Sequence, residues 1–545
     1  MDRRSFIRSG IGFGALAAGT LVSSRLASAL GESPAAAPGA TVETTLGKVR
    51  GTTQAGVQAF RGVPYAASTA GANRFMPPVK RQPWSGVRSA VELGLRAPQR
   101  PSDFHGQVPK AFDVMCPDEP MGEDCLVLNV WTPATTATRK RPIMVWLHGG
   151  GFTSGSGGFI CYSGQELARK HDVVVVTVNH RLTVFGYLYF AGIGGEKYAK
   201  SSNVGMLDIV AALEWVRDNG ASFGGDAGNV TIFGQSGGAG KVSALMAMPP
   251  AKGLFHRAIV ESGADVKGVP VDVASKSAEM FLSRLNLKPD QVDELQQLSM
   301  ERLLAAIPPG GGPGSPGLAL APVVDGSTLP SGPFDPTAPE LSANIPLLIG
   351  TTETEVTFFP NQVLDPIDDA GLHTHVKQTL AKASDAQVDE VIAAYRKGRP
   401  GVANTDLYLA LASDATFRAG VLTEADRKVA QGKAAVYQYY FTWKSPVEDG
   451  KLRSFHTLEI PFVFYNVDLA TSMTGAGPER QPLADKVSGA WVAFARSGDP
   501  NHKGLPAWEP FDTTKRSTMI LDNQCKLAND PHGAEQRLLH SIQNG

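Results

Sequence analysis

Val230-Thr231-Ile232-Phe233-Gly234-Gln235-Ser236-Gly237-Gly238 is a short β-branched run that breaks at once into Gly-Gln-Ser-Gly-Gly, with a helix-forming run, Val242 to Met248, behind it. Strand, glycine-flanked serine and helix, in that order, fit G-x-S-x-G, a sharp turn that holds its serine in a strained conformation. Glycines are needed on both sides because β-carbons there would collide with neighbouring backbone. Alone, the pentapeptide arises by chance in Gly- and Ser-rich turns; the strand before it and the helix after it give it meaning.

The same alternation extends outward. Pro142 to Leu147, Val173 to Val178, His256 to Val260 and Pro346 to Ile349 are short apolar runs of the kind that form strands buried on both faces. Leu207 to Val216 has helical spacing. Strands alternating with helices predict an α/β fold, a large and mostly parallel sheet covered on both faces. Helical insertions are expected between Asp265 and Leu304 and between Leu372 and Ala430, and the Pro- and Gly-rich stretch Pro308 to Gly317 reads as a surface loop.

His148-Gly149-Gly150-Gly151-Phe152 follows the strand ending at Leu147. Three glycines let backbone N–H groups approach a developing oxyanion, where each donor contributes about 3 kcal/mol to a transition state. A nucleophilic serine needs a base, and the base an orienting carboxylate, in the chain order Ser, acid, His. His456 is a good candidate among the histidines after Ser236, and both Glu353 and Glu355 follow the strand Pro346–Ile349. The residues alone leave the acid open.

Several further blocks stand in order along the chain: Phe60 to Ala66, Arg74 to Pro78, Glu123 to Val130, Asn179 to Leu182, Asn219 to Gly238, Pro322 to Gly326 and Phe494 to Pro500. With these the chain resembles the type-B carboxylesterase and cholinesterase-like lineage of α/β-hydrolases from about Gly47 to Trp508. The resemblance implies a serine carboxylesterase acting on a small-molecule ester, without metal or organic cofactor. It ends a G-x-x-x-x-E pattern on Glu355 and opens H-x-x-E-[IL] on His456, implying a triad of Ser236, Glu355 and His456. Its oxyanion donors fall on Gly150, Gly151 and Gly237, and Glu459 becomes a supporting residue.

The departures are specific. Gln235 and Gly237 stand where the family usually has Glu and Ala, and Lys241 where a small residue is common; a lysine there needs water or a carboxylate partner. Ala97-Pro98-Gln99 lacks the cysteine that usually pairs with the one at Cys125, so Cys116–Cys125 is the expected substitute among three possible full pairings. No tryptophan stands between Ala97 and Cys125 to hold a quaternary ammonium by cation–π attraction. Choline esters are therefore not the expected substrates, and Phe104 and Phe112 are open to two readings, lining an apolar pocket or packing within their loop.

The 545 residues, 42% hydrophobic and 19% charged with a formal net charge of −1, describe a globular chain without the basic face that nucleic acid requires. Arg3-Arg4 ahead of the apolar stretch Ile11 to Val22, with Ala27-Ser28-Ala29 as a cleavage pattern, resembles a twin-arginine signal. Residues 1–29 are expected to direct export to the periplasm or beyond, 30–40 to be a flexible lead-in and 41–545 to be the catalytic domain, with no stable membrane insertion after signal removal. Two other readings stand beside the esterase: a lipase for longer-chain acylglycerols, with Pro308–Gly317 as a flap, and a silent binding protein of the same fold.

Overall fold

The computed structural model describes residues 36–100, 110–115, 120–136, 140–308, 317–360 and 362–544. The export signal, Phe104, Cys116 and nearly all of the Pro308–Gly317 loop lie outside these residues.

Thirteen described strands form one sheet. They are β1 (Ala37–Thr44), β2 (Gly47–Gln54), β3 (Val57–Pro64), β4 (Val87–Ser89), β5 (Val127–Thr132), β6 (Arg141–Leu147) and β7 (Val174–Val178). The remainder are β8 (Gly225–Gln235), β9 (Arg257–Glu261), β10 (Leu347–Thr352), β11 (Val436–Phe441), β12 (Ser517–Leu521) and β13 (Lys526–Asn529). The order is β1-β2-β3-β5-β7-β6-β8-β9-β10-β11-β12-β13, with β4 against β2. From β7 to β12 every neighbour is parallel, and the flanks β1-β2-β3-β5-β7 and β12-β13 are antiparallel.

The parallel centre follows from its side chains. Every residue of β6 and β7 is buried, as a strand covered on both faces demands. Ile143, Val145, Leu147, Val230, Ile232 and Val260 pack on one side with helices Val204–Asn219 and Gly237–Ala247. Met144, Trp146, Phe233, Ile259 and Leu348 pack on the other with helix Arg480–Ser497. Each such apolar side chain stabilises the fold by about 1.5–3 kcal/mol on full burial. Helices Asp369–Thr379, Asp385–Gly398 and Asn404–Ser413 share a separate cluster with Leu539, which accounts for the second expected insertion.

Three expectations change. The lead-in to residue 40 is too long, because the chain already pairs with β2 at Ala37, opposite Thr53. The β8 strand begins at Gly225, since Arg141 pairs with Gly225 before a register shift realigns the two strands. Cys125 is a free thiol, fully buried near the Arg181–Asp208 pair, so it does not form the expected bridge to Cys116. Burial pushes that thiol far up.

The other recurring motifs serve the scaffold. Arg74 donates from Nε to Glu123 Oε2 at 2.7 Å and from Nη1 to the Leu298 carbonyl at 2.7 Å. Arg181 grips both Asp208 oxygens, at 2.7 and 2.6 Å, and donates to the Met76 carbonyl. Removing one partner from such a buried pair costs about 3–5 kcal/mol.

Candidate active site

Ser236 stands at the C-terminal end of β8, Glu355 just beyond β10 and His456 in the loop after β11. All three therefore meet at the carboxyl edge of the parallel strands, where α/β sheets hold their ligands. Ser236 has φ 58° and ψ −126°, a strained conformation. Gly238 makes the turn possible: a Cβ there would overlap the Leu147 carbonyl oxygen.

Glu355 opens a single 3-10 turn, Glu355–Phe358, and its buried carboxylate is held at both oxygens. Oε1 accepts from the Thr352 N–H at 2.8 Å and Oε2 from His456 Nδ1 at 2.6 Å. Glu353 points elsewhere, towards Lys444 at 3.8 Å. Of the two acids left open by the residues alone, the structure brings Glu355 to the histidine.

Ser236 Oγ makes no hydrogen bond to His456 among the described residues. Gln235 Nε2 instead lies 3.2 Å from each ring nitrogen. An atom equidistant from both at that range would collide with Cε1 if it lay in the ring plane, so the amide sits over the ring face. Phe358, Phe359 and Phe417 surround the same imidazole, with centroids 5.5, 5.5 and 4.7 Å away. Phe417 is carried by a π-turn, Asp414–Arg418, a local widening common at functional sites. Asp414, buried and accepting from Tyr395 Oη at 2.8 Å, anchors that turn. Of the two readings of Phe112, packing holds: it is buried, edge-on to Phe358 at 4.5 Å, and supports the wall.

The glycine loop leaves its N–H groups open. Among the described residues, none accepts from the N–H of Gly150, Gly151 or Gly237. The carbonyls of that loop are all taken. Gly149 O accepts from His148 Nδ1 at 2.8 Å, and Gly150 O from the Thr153 and Ser154 N–H groups at 3.3 and 3.0 Å. His148 O and Gly151 O accept from Lys241 Nζ at 3.0 and 2.7 Å. In place of a carboxylate the amine has these two carbonyls and the Phe152 ring, 5.0 Å away, as partners. His148 stacks on His180 at 4.8 Å, and burial followed by the nearby Lys241 lowers its pKa to about 3, so it stays neutral.

Two further buried carboxyls lie near Glu355, Glu459 facing it and Glu261 facing Glu459, and sequence reasoning missed Glu261. Glu261, at the end of β9, accepts from Trp491 Nε1 at 2.8 Å, and burial raises its pKa to about 8. Glu459 accepts from Ser262 Oγ at 3.2 Å and is pushed well up, by burial first and then by Glu355 and Glu261. Burial thus disfavours a negative charge on both of these acids, and Glu355 is the carboxylate that contacts His456. Because the folded state holds the Glu261 proton and the unfolded state releases it above about 4.5, this group's stabilisation is complete below that pH and is lost as pH rises through about 8. Glu261→Gln keeps an acceptor for Trp491 and should leave Tm unchanged near pH 4 while raising it at pH 9. Thermal melts at both values check this; equal shifts at the two would contradict it.

An oriented imidazole, a strained serine and open N–H groups at the mouth of a mostly parallel sheet define an α/β-hydrolase. Comparison with known proteins makes the class narrower. The carboxylesterase family model matches residues 38–538, and this chain belongs to that family; it is a carboxylic ester hydrolase. It is 36% identical over 523 residues to the para-nitrobenzyl esterase of Bacillus subtilis, covering 91% of this chain and 98% of that protein. It is 33% identical to the phenmedipham hydrolase of Pseudarthrobacter oxydans, covering 89% and 96% of the two chains. A solved carboxylesterase of Geobacillus stearothermophilus superposes with a TM-score of 0.78 at 35% identity, over 92% of this chain and 99% of that one.

Proposed function

We propose that the enzyme hydrolyses carboxylic esters by two-step acyl transfer through Ser236, His456 and Glu355. His456 takes the Ser236 proton as Oγ attacks the ester carbonyl, and the N–H groups of Gly150, Gly151 and Gly237 receive the oxyanion. Glu355 fixes the imidazole tautomer and stabilises its charged form. The alcohol leaves with the proton from His456, and water hydrolyses the acyl-enzyme by the same route. The observation that carries this reading is the 2.6 Å contact between buried Glu355 and His456 Nδ1, which leaves Nε2 for the serine. That Oγ and Nε2 are not yet hydrogen-bonded is ordinary for a site without substrate.

The phenylalanines around His456 favour esters whose alcohol is aromatic, because the imidazole that protonates the leaving group is walled by Phe359 and Phe417, which stack at 5.8 Å. The relative named for para-nitrobenzyl esters supports the same preference. Export through the twin-arginine signal is part of the proposal and rests on Arg3, Arg4 and the Ala27-Ser28-Ala29 site.

Hydrolysis of acyl esters by the protein from Leu30 onward tests the reading. Benzyl acetate should be cleaved with a higher kcat/KM than cyclohexylmethyl acetate, an alkyl counterpart of similar size. p-Nitrophenyl acetate and butyrate should outrun the palmitate. A sharp rise in rate on emulsified palmitate would favour the lipase instead, and inertness towards all of them would return the chain to a binding role.

A further inference from the structure

Lys241 is wholly buried on helix Gly237–Ala247, one turn beyond Gly237, and among the described residues no carboxylate pairs with its ammonium. Burying an ammonium without a counter-ion is costly, and burial lowers this one to about 7. Its acceptors are the two end carbonyls of the glycine loop, His148 O and Gly151 O. The inner carbonyls, Gly149 O and Gly150 O, are held from within the loop. All four carbonyls thus have partners, while the N–H groups of Gly150 and Gly151 are free of them. The loop cannot rotate a peptide plane without breaking one of these bonds.

A second observation points the same way. A Cβ on Gly237 would overlap the Gly151 carbonyl oxygen and Cα. The loop therefore lies closer to the helix behind Ser236 than any side chain at position 237 permits, and the atom in that space is the one Lys241 holds at 2.7 Å. Gly237 opens the gap and Lys241 draws the loop into it.

We propose that Lys241 is a positioning residue, a clamp that ties the helix behind the nucleophile to both ends of the oxyanion loop and sets where its N–H groups stand. The inference rests on the acyl-transfer reading above. Charged or neutral, the amine carries the two donors the clamp needs. Lys241 touches no substrate; it acts through the peptide groups of Gly150 and Gly151.

A clamp and a packing residue differ in what they do to the transition state. An alkyl trifluoromethyl ketone accepts Ser236 Oγ at its carbonyl carbon, the proton passes to His456, and the resulting hemiketal oxygen occupies the oxyanion position. Deleting a donor outright costs about 10²–10³ in kcat, so loosening two donors in Lys241→Met should cost about tenfold, with KM within about twofold. The ketone's Ki should rise by the same factor as kcat/KM falls. Lys241→Gln, which keeps an amide donor of its own, should lose less and covers the case in which the methionine variant does not fold.

A double-mutant cycle gives an independent arm. Gly237→Ala should be damaging alone and much less so in combination with Lys241→Ala, because the unclamped loop can retreat from the new methyl group. Unchanged kcat and ketone Ki in folded Lys241 variants would overturn the clamp alone, as would additive losses in the cycle. A wild-type protein inert to both ester and ketone would overturn the acyl-transfer reading, and the clamp with it.

Discussion

Ser236→Ala should lower kcat for p-nitrophenyl butyrate by about 10⁵–10⁶-fold, the scale seen when a serine hydrolase loses its nucleophile. The expectation follows from the strained turn that carries Oγ, at the same carboxyl edge of the sheet as His456 and next to the open N–H groups of Gly150, Gly151 and Gly237. The variant should keep the wild-type Tm within about 1 °C or gain slightly, since alanine removes a hydroxyl without internal hydrogen bonds and opens little space. Residual activity above water would come from the oxyanion loop and substrate positioning. Steady-state rates with thermal melts check both halves. A variant retaining a tenth of the wild-type rate would mean that another group makes the covalent bond, or that none is made.

Glu355→Gln should cost about 10⁴-fold in kcat, because a carboxamide can turn its NH2 towards His456 Nδ1 and stabilise the wrong tautomer. Thr352 N–H, which donates to Glu355 Oε1 at 2.8 Å, favours an oxygen on its own side and so turns the NH2 to the histidine. Glu353→Gln is the control. Its side chain faces Lys444, partly open to solvent, and kcat should stay within about twofold, because a pair of this kind contributes only about 0–1 kcal/mol. The reverse ranking of the two variants would remove Glu355 from the mechanism.

These paired glutamates show where the sequence could be read and where it could not. Two residues apart after the same strand, Glu353 and Glu355 are equivalent to any argument from periodicity, and only the resemblance separated them. The 3-10 turn that starts at Glu355 separates them in space, sending one carboxylate to His456 and the other to Lys444. Glu261 was missed for a related reason. An acid at the end of an apolar strand resembles any strand-terminating charge until Trp491, 230 residues away, is seen to cover it. Phe417 depended on a π-turn, whose extra residue per turn leaves no periodic mark in a short segment.

The sequence by itself determined the parallel sheet, through short apolar runs that tolerate no solvent on either face. It determined the serine turn, through Gly234 and Gly238, two positions where the turn leaves no room for a β-carbon. It also determined the glycine loop that follows β6. These are local matters, decided by which side chains and backbone angles a few neighbouring residues allow. Tertiary structure decided the free state of Cys125, the amide of Gln235 over the imidazole, the aromatic surround of His456 and the acceptors of Lys241. Each depends on atoms from segments scores or hundreds of residues apart, and a lysine satisfied by two backbone carbonyls leaves no partner residue for a sequence to display.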